Sequence, residues 1–229
     1  GGGITWDSTW ESEYREVHQK AAVLYRKQAR FKLISTGKIS QKSLLFEDQH
    51  LERLTKASRY FTFPFDPEYL RQKIEEECQA CDVNQDYRLR ITLSKSGEIE
   101  LSRQILTPLS PTFCQAKLCL QEADLQTPFT YFKTTHRPHL SLGKQEIIYH
   151  NAAGELLETS IGNLVLKIAG KLYTPPTSLG ILPGIYRQHL LETEQVEEKV
   201  LTLKDLAQAE TIYGCNAVRG LYELELKEK

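Results

Sequence analysis

Hydrophobic and polar positions alternate along most of this chain in short bursts, interrupted by a few stretches of helical spacing. RFKLIST, from Arg30, alternates as a strand, Gly37-Lys38 reads as a turn, and KSLLF returns as the second arm of a hairpin. EDQHLERLTKASRYFTF then sets Leu51, Leu54 and Ala57/Ser58 at helical spacing until Pro64 ends it. A second helix is predicted after Pro67, with Leu70, Ile74 and Cys78 on one face. YRLRITLSKSGEIELSRQIL reads as two strands about a Ser-Gly turn, and the strand-like FCQAKLCL completes a small α+β unit near Ala123.

DLQTPF, residues 124–129, reads as an interdomain crossing. Past Lys133 a short helical piece is expected, then QEIIYHNAAGELLETSIGNLVLKIAGKLYTPP as three short strands around the turns AAGE and AGK. ILPGIYRQHLLE turns from a Pro-Gly loop into an amphipathic helix, and the remainder supplies strand, short helix, strand and strand. The expected organisation is a segment over 1–28, a small domain over 30–123 and a larger domain over 130–229. The fold class is α/β (α+β).

Composition narrows the partners. With 29 basic against 30 acidic residues and a net charge of −1, nothing argues electrostatically for nucleic acid or an anionic membrane. No apolar run reaches the ~20 residues of a membrane span. The five cysteines form no framework spacing, which suits a reducing, cytoplasmic setting. Cys78 and Cys81 form a lone CxxC, read as two half-buried helix thiols, so no metal site is expected. The absence of methionine leads us to expect a processed product or the end of something longer.

Three stretches carry candidate chemistry. In YFKTTHR, Lys133 leaves the aromatic run Phe129–Phe132 ahead of a polar turn. Lost hydration brings the neutral, nucleophilic amine within reach, as a Schiff-base lysine requires. In ETSIGN, Glu158 closes a strand before small polar residues and Asn163; a partly buried carboxylate there could keep a pyridine nitrogen protonated. In LPGIYR, proline and glycine at a helix start leave first-turn N–H groups free for an anion.

The ordered set FKTTHR, ETSIGN, LPGIYRQ and CNAVRG, with HLERL upstream, resembles the class IV (fold type IV) pyridoxal-phosphate enzymes over residues 30–229. That family includes branched-chain and D-amino-acid aminotransferases and 4-amino-4-deoxychorismate lyase. The resemblance implies two domains with the cofactor, pyridoxal 5'-phosphate, in the cleft between them, and a homodimer. It assigns the covalent attachment to Lys133, the pyridine partner to Glu158 and a supporting hydrogen bond to Asn163. The phosphate falls to the N–H groups of Ile185 and Tyr186, with Arg53 as cationic partner and Asn216 nearby. Thr36 takes the first-strand position suited to proton donation, and Arg88, Arg90, Arg137 and Arg219 are candidates for substrate carboxylates. Two positions depart from the usual pattern: Ile185-Tyr186 stands where many members have Ile-Thr, and Ser35-Thr36 where they have Glu-Thr.

A second resemblance lies upstream. GGGITWDSTWESEYREVHQKA is similar to the last segment of aminodeoxychorismate synthase component I, in which the matching Glu13 and Glu16 would hold magnesium and Lys20 would touch substrate. Those residues cover a small part of that enzyme and imply a vestige, fused to or associated with such a synthase. Together the two resemblances imply a lyase making 4-aminobenzoate and pyruvate on the route to folate. The alternatives are a class IV aminotransferase and a non-catalytic dimerisation module of the synthase.

Overall fold

The computed structural model describes residues 9, 30–123, 125, 127–141 and 143–227. The expectations for the segment 1–28, including Glu13, Glu16 and Lys20, lie outside the described residues.

Two sheets organise the chain. The smaller has the order β2-β1-β3-β4, from strands β1 Leu33–Ser40, β2 Ser43–Leu44, β3 Tyr87–Leu93 and β4 Ile99–Ile105, all antiparallel. Helices α1 Glu47–Phe61 and α2 Pro67–Gln79 join β2 to β3. Period-two alternation decides what each face of this sheet does. Leu33 and Ile39 of β1 and Leu89, Ile91 and Leu93 of β3 enter a core with Leu54, Leu70 and Ile74 of the helices. Full burial of each such side chain stabilises by about 1.5–3 kcal/mol. The intervening residues Ile34, Thr36, Arg88 and Arg90 therefore share the opposite face, and all four line a cavity.

The helices start and stop where the sequence indicates. Asp66 caps α2 by accepting from the N–H groups of Glu68 and Tyr69 at 3.0 and 3.1 Å, with Pro67 in the first helical position. Cys81 lies beyond the end of α2, and both thiols of the CxxC are free and buried rather than half-buried.

The first hairpin turns later than expected. β1 runs through Gly37-Lys38 to Ser40, and the turn falls at Gln41 and Lys42, both at positive φ, as a two-residue primed turn requires. Gly37 serves a different need: a Cβ there would meet the His50 ring at 2.5 Å. That ring accepts from or donates to the Ser35 hydroxyl at 2.7 Å and packs on the strand where any side chain would block it.

The larger sheet is mixed, with strands β5 Gln115–Leu120, β6 Ile147–His150, β7 Leu156–Thr159, β8 Asn163–Ile168, β9 Lys171–Thr174, β10 Glu197–Glu198, β11 Thr211–Asn216 and β12 Gly220–Leu226. Its order is β10-β9-β8-β11-β12-β5-β6-β7, and a further pairing of β7 with β8 closes six of these strands into a barrel-like ring. The closing pair is Glu158 opposite Asn163. Two expectations are corrected. The stretch 145–176 forms four strands rather than three, because Ser160–Gly162 is also a turn. β5, entered from the short helix α3, Pro111–Cys114, does not complete the small unit; it pairs in parallel with β6 and β12 in the larger sheet. Among the described residues no helix is long and apolar enough to cross a membrane.

Candidate active site

Lys133 follows α4, Pro128–Tyr131, and no helix occurs among the described residues between it and β6, so the short helical piece lies before the lysine rather than after it. Its backbone is fastened to β1: Ile34 N–H donates to the Lys133 carbonyl at 3.0 Å and Thr135 N–H to that of Lys32 at 2.9 Å. The side chain enters a cleft between the two sheets. There burial first, then the Arg137 and Arg53 guanidinium groups, bring its pKa down from 10.5 to about 7, against the pull of Glu158. The apolar run before the lysine is therefore one cause, and the facing arginines, invisible in the local sequence, are another.

This shift has a measurable sign. The folded apoprotein gives up at pH 8 a proton that the unfolded chain keeps, so the contribution of Lys133 to stability rises with pH from about 7 to 10.5 and is at its most unfavourable below 7. Labelling of apoprotein by pyridoxal phosphate and borohydride should follow a midpoint near 7 at Lys133, against one near 10 for solvated lysines. Peptide mapping across pH checks it.

Glu158 stands at the end of β7, buried at 4% exposure, and burial raises its pKa while Arg137 opposes the rise. Across the seam, Asn163 donates through Nδ2 to the Leu182 carbonyl at 2.8 Å. Its Oδ1 lies so close to Gly184 that a Cβ there would sit 2.0 Å away. Asn163 thus shapes the Leu182–Gly184 turn that opens α5, Ile185–Glu192, whose N-cap is Gly184. The first-turn N–H groups of Ile185 and Tyr186 have no helical acceptor. Arg53, from α1, reaches this turn and donates to the Pro183 carbonyl at 2.7 Å. Burial, then Arg137, lowers its pKa to about 10, so it is still cationic at neutral pH. The Tyr186 ring packs edge-on against Phe46 with centroids 6.0 Å apart.

A cavity of about 550 Å³ opens from Lys133, lined among others by Thr36, Ser160, Asn216 and all four arginines singled out in the sequence. A narrow recess continues from it past Thr36, Lys133 and Arg137 to Arg53, Glu158, Asn163, Gly184 and Ile185. The arginines are not equivalent. Arg88 and Arg90 project from the small sheet, and Arg219 donates to the Thr107 carbonyl. Arg137 instead holds both oxygens of Glu158 through Nη2, at 3.1 and 3.2 Å. Asn216 borders the site, yet its Oδ1 accepts from the N–H groups of Val218 and Arg219, both at 2.9 Å, so its carbonyl shapes its own turn.

Two groups were not legible in the sequence. Glu146 is fully buried and accepts from Ser160 N–H at 2.9 Å, from the Ser160 hydroxyl and from the Tyr222 hydroxyl at 2.9 Å, pinning the turn between Glu158 and Asn163. A charged residue before an apolar strand carries no signal of burial. His139 lies 3.9 Å from Glu158, with its Nε2 buried and unpartnered. Burial, then Arg137, lowers its pKa to about 4, so it is neutral.

A desolvated amine, a buried carboxylate and a helix start beside an arginine, facing one recess, form the donor set that a phosphorylated pyridine aldehyde needs: covalent attachment, a partner for the ring nitrogen, and an anion cradle. Among the described residues no group of three or more His, Cys, Asp or Glu is arranged to hold a metal. The chain belongs to the amino-transferase class IV family, whose sequence pattern matches residues 32–224 and whose cofactor is pyridoxal phosphate.

Among its relatives is a Thermotoga maritima protein provisionally described as a branched-chain-amino-acid aminotransferase, 24% identical over 93% of this chain and 84% of that protein. A Mesorhizobium loti structure provisionally described as an amino-acid aminotransferase superposes with a TM-score of 0.75 at 28% identity, covering 86% of this chain and all of that one. A Haemophilus somnus structure provisionally described as a 4-amino-4-deoxychorismate lyase gives a TM-score of 0.68 at 23% identity, covering 85% of this chain and all of that one.

Proposed function

We propose that the protein is a pyridoxal-phosphate lyase that converts 4-amino-4-deoxychorismate to 4-aminobenzoate and pyruvate. The observation that carries this reading is the surplus of guanidinium groups on the substrate side. Arg88, Arg90 and Arg219 line the cavity beyond Lys133, in excess of what the one carboxylate of a branched-chain amino acid requires. The substrate has two carboxylates, and Ile34, Leu109, Leu140 and Val218 offer apolar contact for its ring.

Lys133 would hold the cofactor covalently, Glu158 would face its ring nitrogen, and Arg53 with the first turn of α5 would hold its phosphate. When bound, the cofactor supplies an electron sink for the charge left by proton removal. Lys133, whose pKa is brought down to about 7, takes the proton from the amine-bearing carbon in its neutral form. The ether C–O bond then breaks, the ring becomes aromatic, and enolpyruvate departs. Thr36 lines both the cavity and the recess, so its hydroxyl is set to protonate the departing enolate at carbon to give pyruvate, with the proton on Lys133 replacing the one Thr36 gives up. Arg88, Arg90 and Arg219 orient the carboxylates.

A homodimer is part of this proposal: Leu118 and Leu120, in the midst of the larger sheet on β5, are 39% and 44% exposed and would be covered by a second copy. The upstream segment similar to a synthase suggests that such a synthase supplies the substrate.

The aminotransferase reading draws on the descriptions of the Thermotoga and Mesorhizobium proteins. Incubation of holoenzyme with 4-amino-4-deoxychorismate, without any keto acid, should yield equal amounts of 4-aminobenzoate and pyruvate. Absence of both, with amino transfer from a branched-chain or D-amino acid to 2-oxoglutarate, would overturn the lyase and establish the aminotransferase.

A further inference from the structure

Arg137 was grouped in the sequence with the arginines that meet substrate, but its guanidinium is turned elsewhere. Nη2 lies 3.1 and 3.2 Å from the two Glu158 oxygens, and both side chains are largely withdrawn from solvent, at 13% and 5% exposure. The Nε of Arg137 is buried without a partner, and so is Nε2 of His139, 3.9 Å from the same carboxylate. Arg137 and His139 follow Lys133 on one non-helical segment, so a single stretch carries the amine and the cation that engages the carboxylate across the recess.

The geometry points to Arg137 as a positioning residue of the cofactor's ring partner: it compensates the charge of Glu158 and so limits how strongly that carboxylate holds a proton on the ring nitrogen. The inference rests on the cofactor-holding roles proposed above for Lys133 and Glu158. A solitary buried glutamate would draw a proton onto the facing nitrogen strongly, because the charged pair then replaces an uncompensated anion. With a guanidinium on both oxygens the anion is already paired, and the same positive charge disfavours a pyridinium nearby. Other titratable groups face this pair. Lys133 and His136 lie on the same segment, Arg53 comes from α1, Arg90 from β3 and Cys215 from β11. Arg53 and Arg90 add positive charge, His139 is neutral, and burial keeps Cys215 a thiol. Removing Arg137 therefore leaves Glu158 with no other guanidinium on its oxygens among the described residues.

The test is a pH titration of the ring-nitrogen NMR signal of isotope-labelled pyridoxal phosphate in holoenzyme, comparing wild type, Arg137→Lys and Arg137→Gln, with the thermal stability of each apoprotein measured alongside. Arg137→Gln should raise the apparent pKa of the ring nitrogen by about 1–3 pH units, and Arg137→Lys should restore most of the wild-type value. An unmoved titration with KM for the substrate raised tenfold or more would overturn the inference and return Arg137 to the substrate side. An unmoved titration with KM also unchanged overturns it as well. Should Arg137→Gln fail to fold, the Arg137→Lys titration and a Glu158→Gln titration, expected to shift downward, decide it. Absence of any wild-type chromophore is a different failure, that of the cofactor roles of Lys133 and Glu158.

Discussion

Replacing Lys133 with alanine should abolish the visible chromophore and lower turnover by about 10³-fold or more, since in the proposed function one side chain supplies both the covalent attachment and the proton acceptor. Lys133→Arg should do the same while keeping the charge, because a guanidinium is neither deprotonated near neutrality nor able to attach to an aldehyde. The stability effect runs opposite to an ordinary core truncation. The lysine is desolvated and faces Arg137, Arg53 and Arg90, so the alanine variant relieves a cluster of like charge. Its apoprotein should melt no lower than wild type below pH 7. Absorbance after loading, product formation and thermal melting check all three; a chromophore retained in Lys133→Ala would remove the lysine from its role.

Gly184→Ala should weaken cofactor binding by about 10- to 100-fold, equivalent to about 1.4–2.8 kcal/mol. The backbone there is extended, so the new methyl costs little in φ; it collides with Asn163 Oδ1 at 2.0 Å. Asn163 must then give up its bond to the Leu182 carbonyl, or the first turn of α5 must shift. Either change displaces the N–H groups of Ile185 and Tyr186 from one another's register around a phosphate. Titrating apoprotein with pyridoxal phosphate measures the effect, and affinity equal to wild type would separate this turn from anion binding.

The parts of the molecule that local periodicity specifies were legible. YRLRITL reads as a strand and forms one, with Leu89, Ile91 and Leu93 in the core and Arg88 and Arg90 at the cavity, and the helix spacing of Leu70, Ile74 and Cys78 is the buried face of α2. What eluded the sequence was nonlocal. Gly37 looked like a turn because glycine so often is one, while its purpose was room for His50. β5 pairs in parallel with strands far from it in sequence, and such pairing leaves no trace in the alternation of one strand. The four candidate arginines all reached the cavity, but that Arg137 is held by a carboxylate depended on Glu158, a partner across the fold. Glu146 gave no signal because the groups that donate to its carboxylate come from elsewhere in the chain, Ser160 from a turn and Tyr222 from β12.

The fastening of Lys133 to β1 carries one more consequence. Its backbone belongs to the edge of the four-stranded sheet, while Glu158, Asn163 and the start of α5 belong to the seam of the barrel-like ring. A cofactor joined to the first and seated on the second is a clasp between two halves that otherwise meet through contacts such as Arg53 on the Pro183 carbonyl. With the proposed roles of Lys133 and Glu158, loading would tie these halves together, and by mass action the cofactor concentration would set the stability of the folded protein.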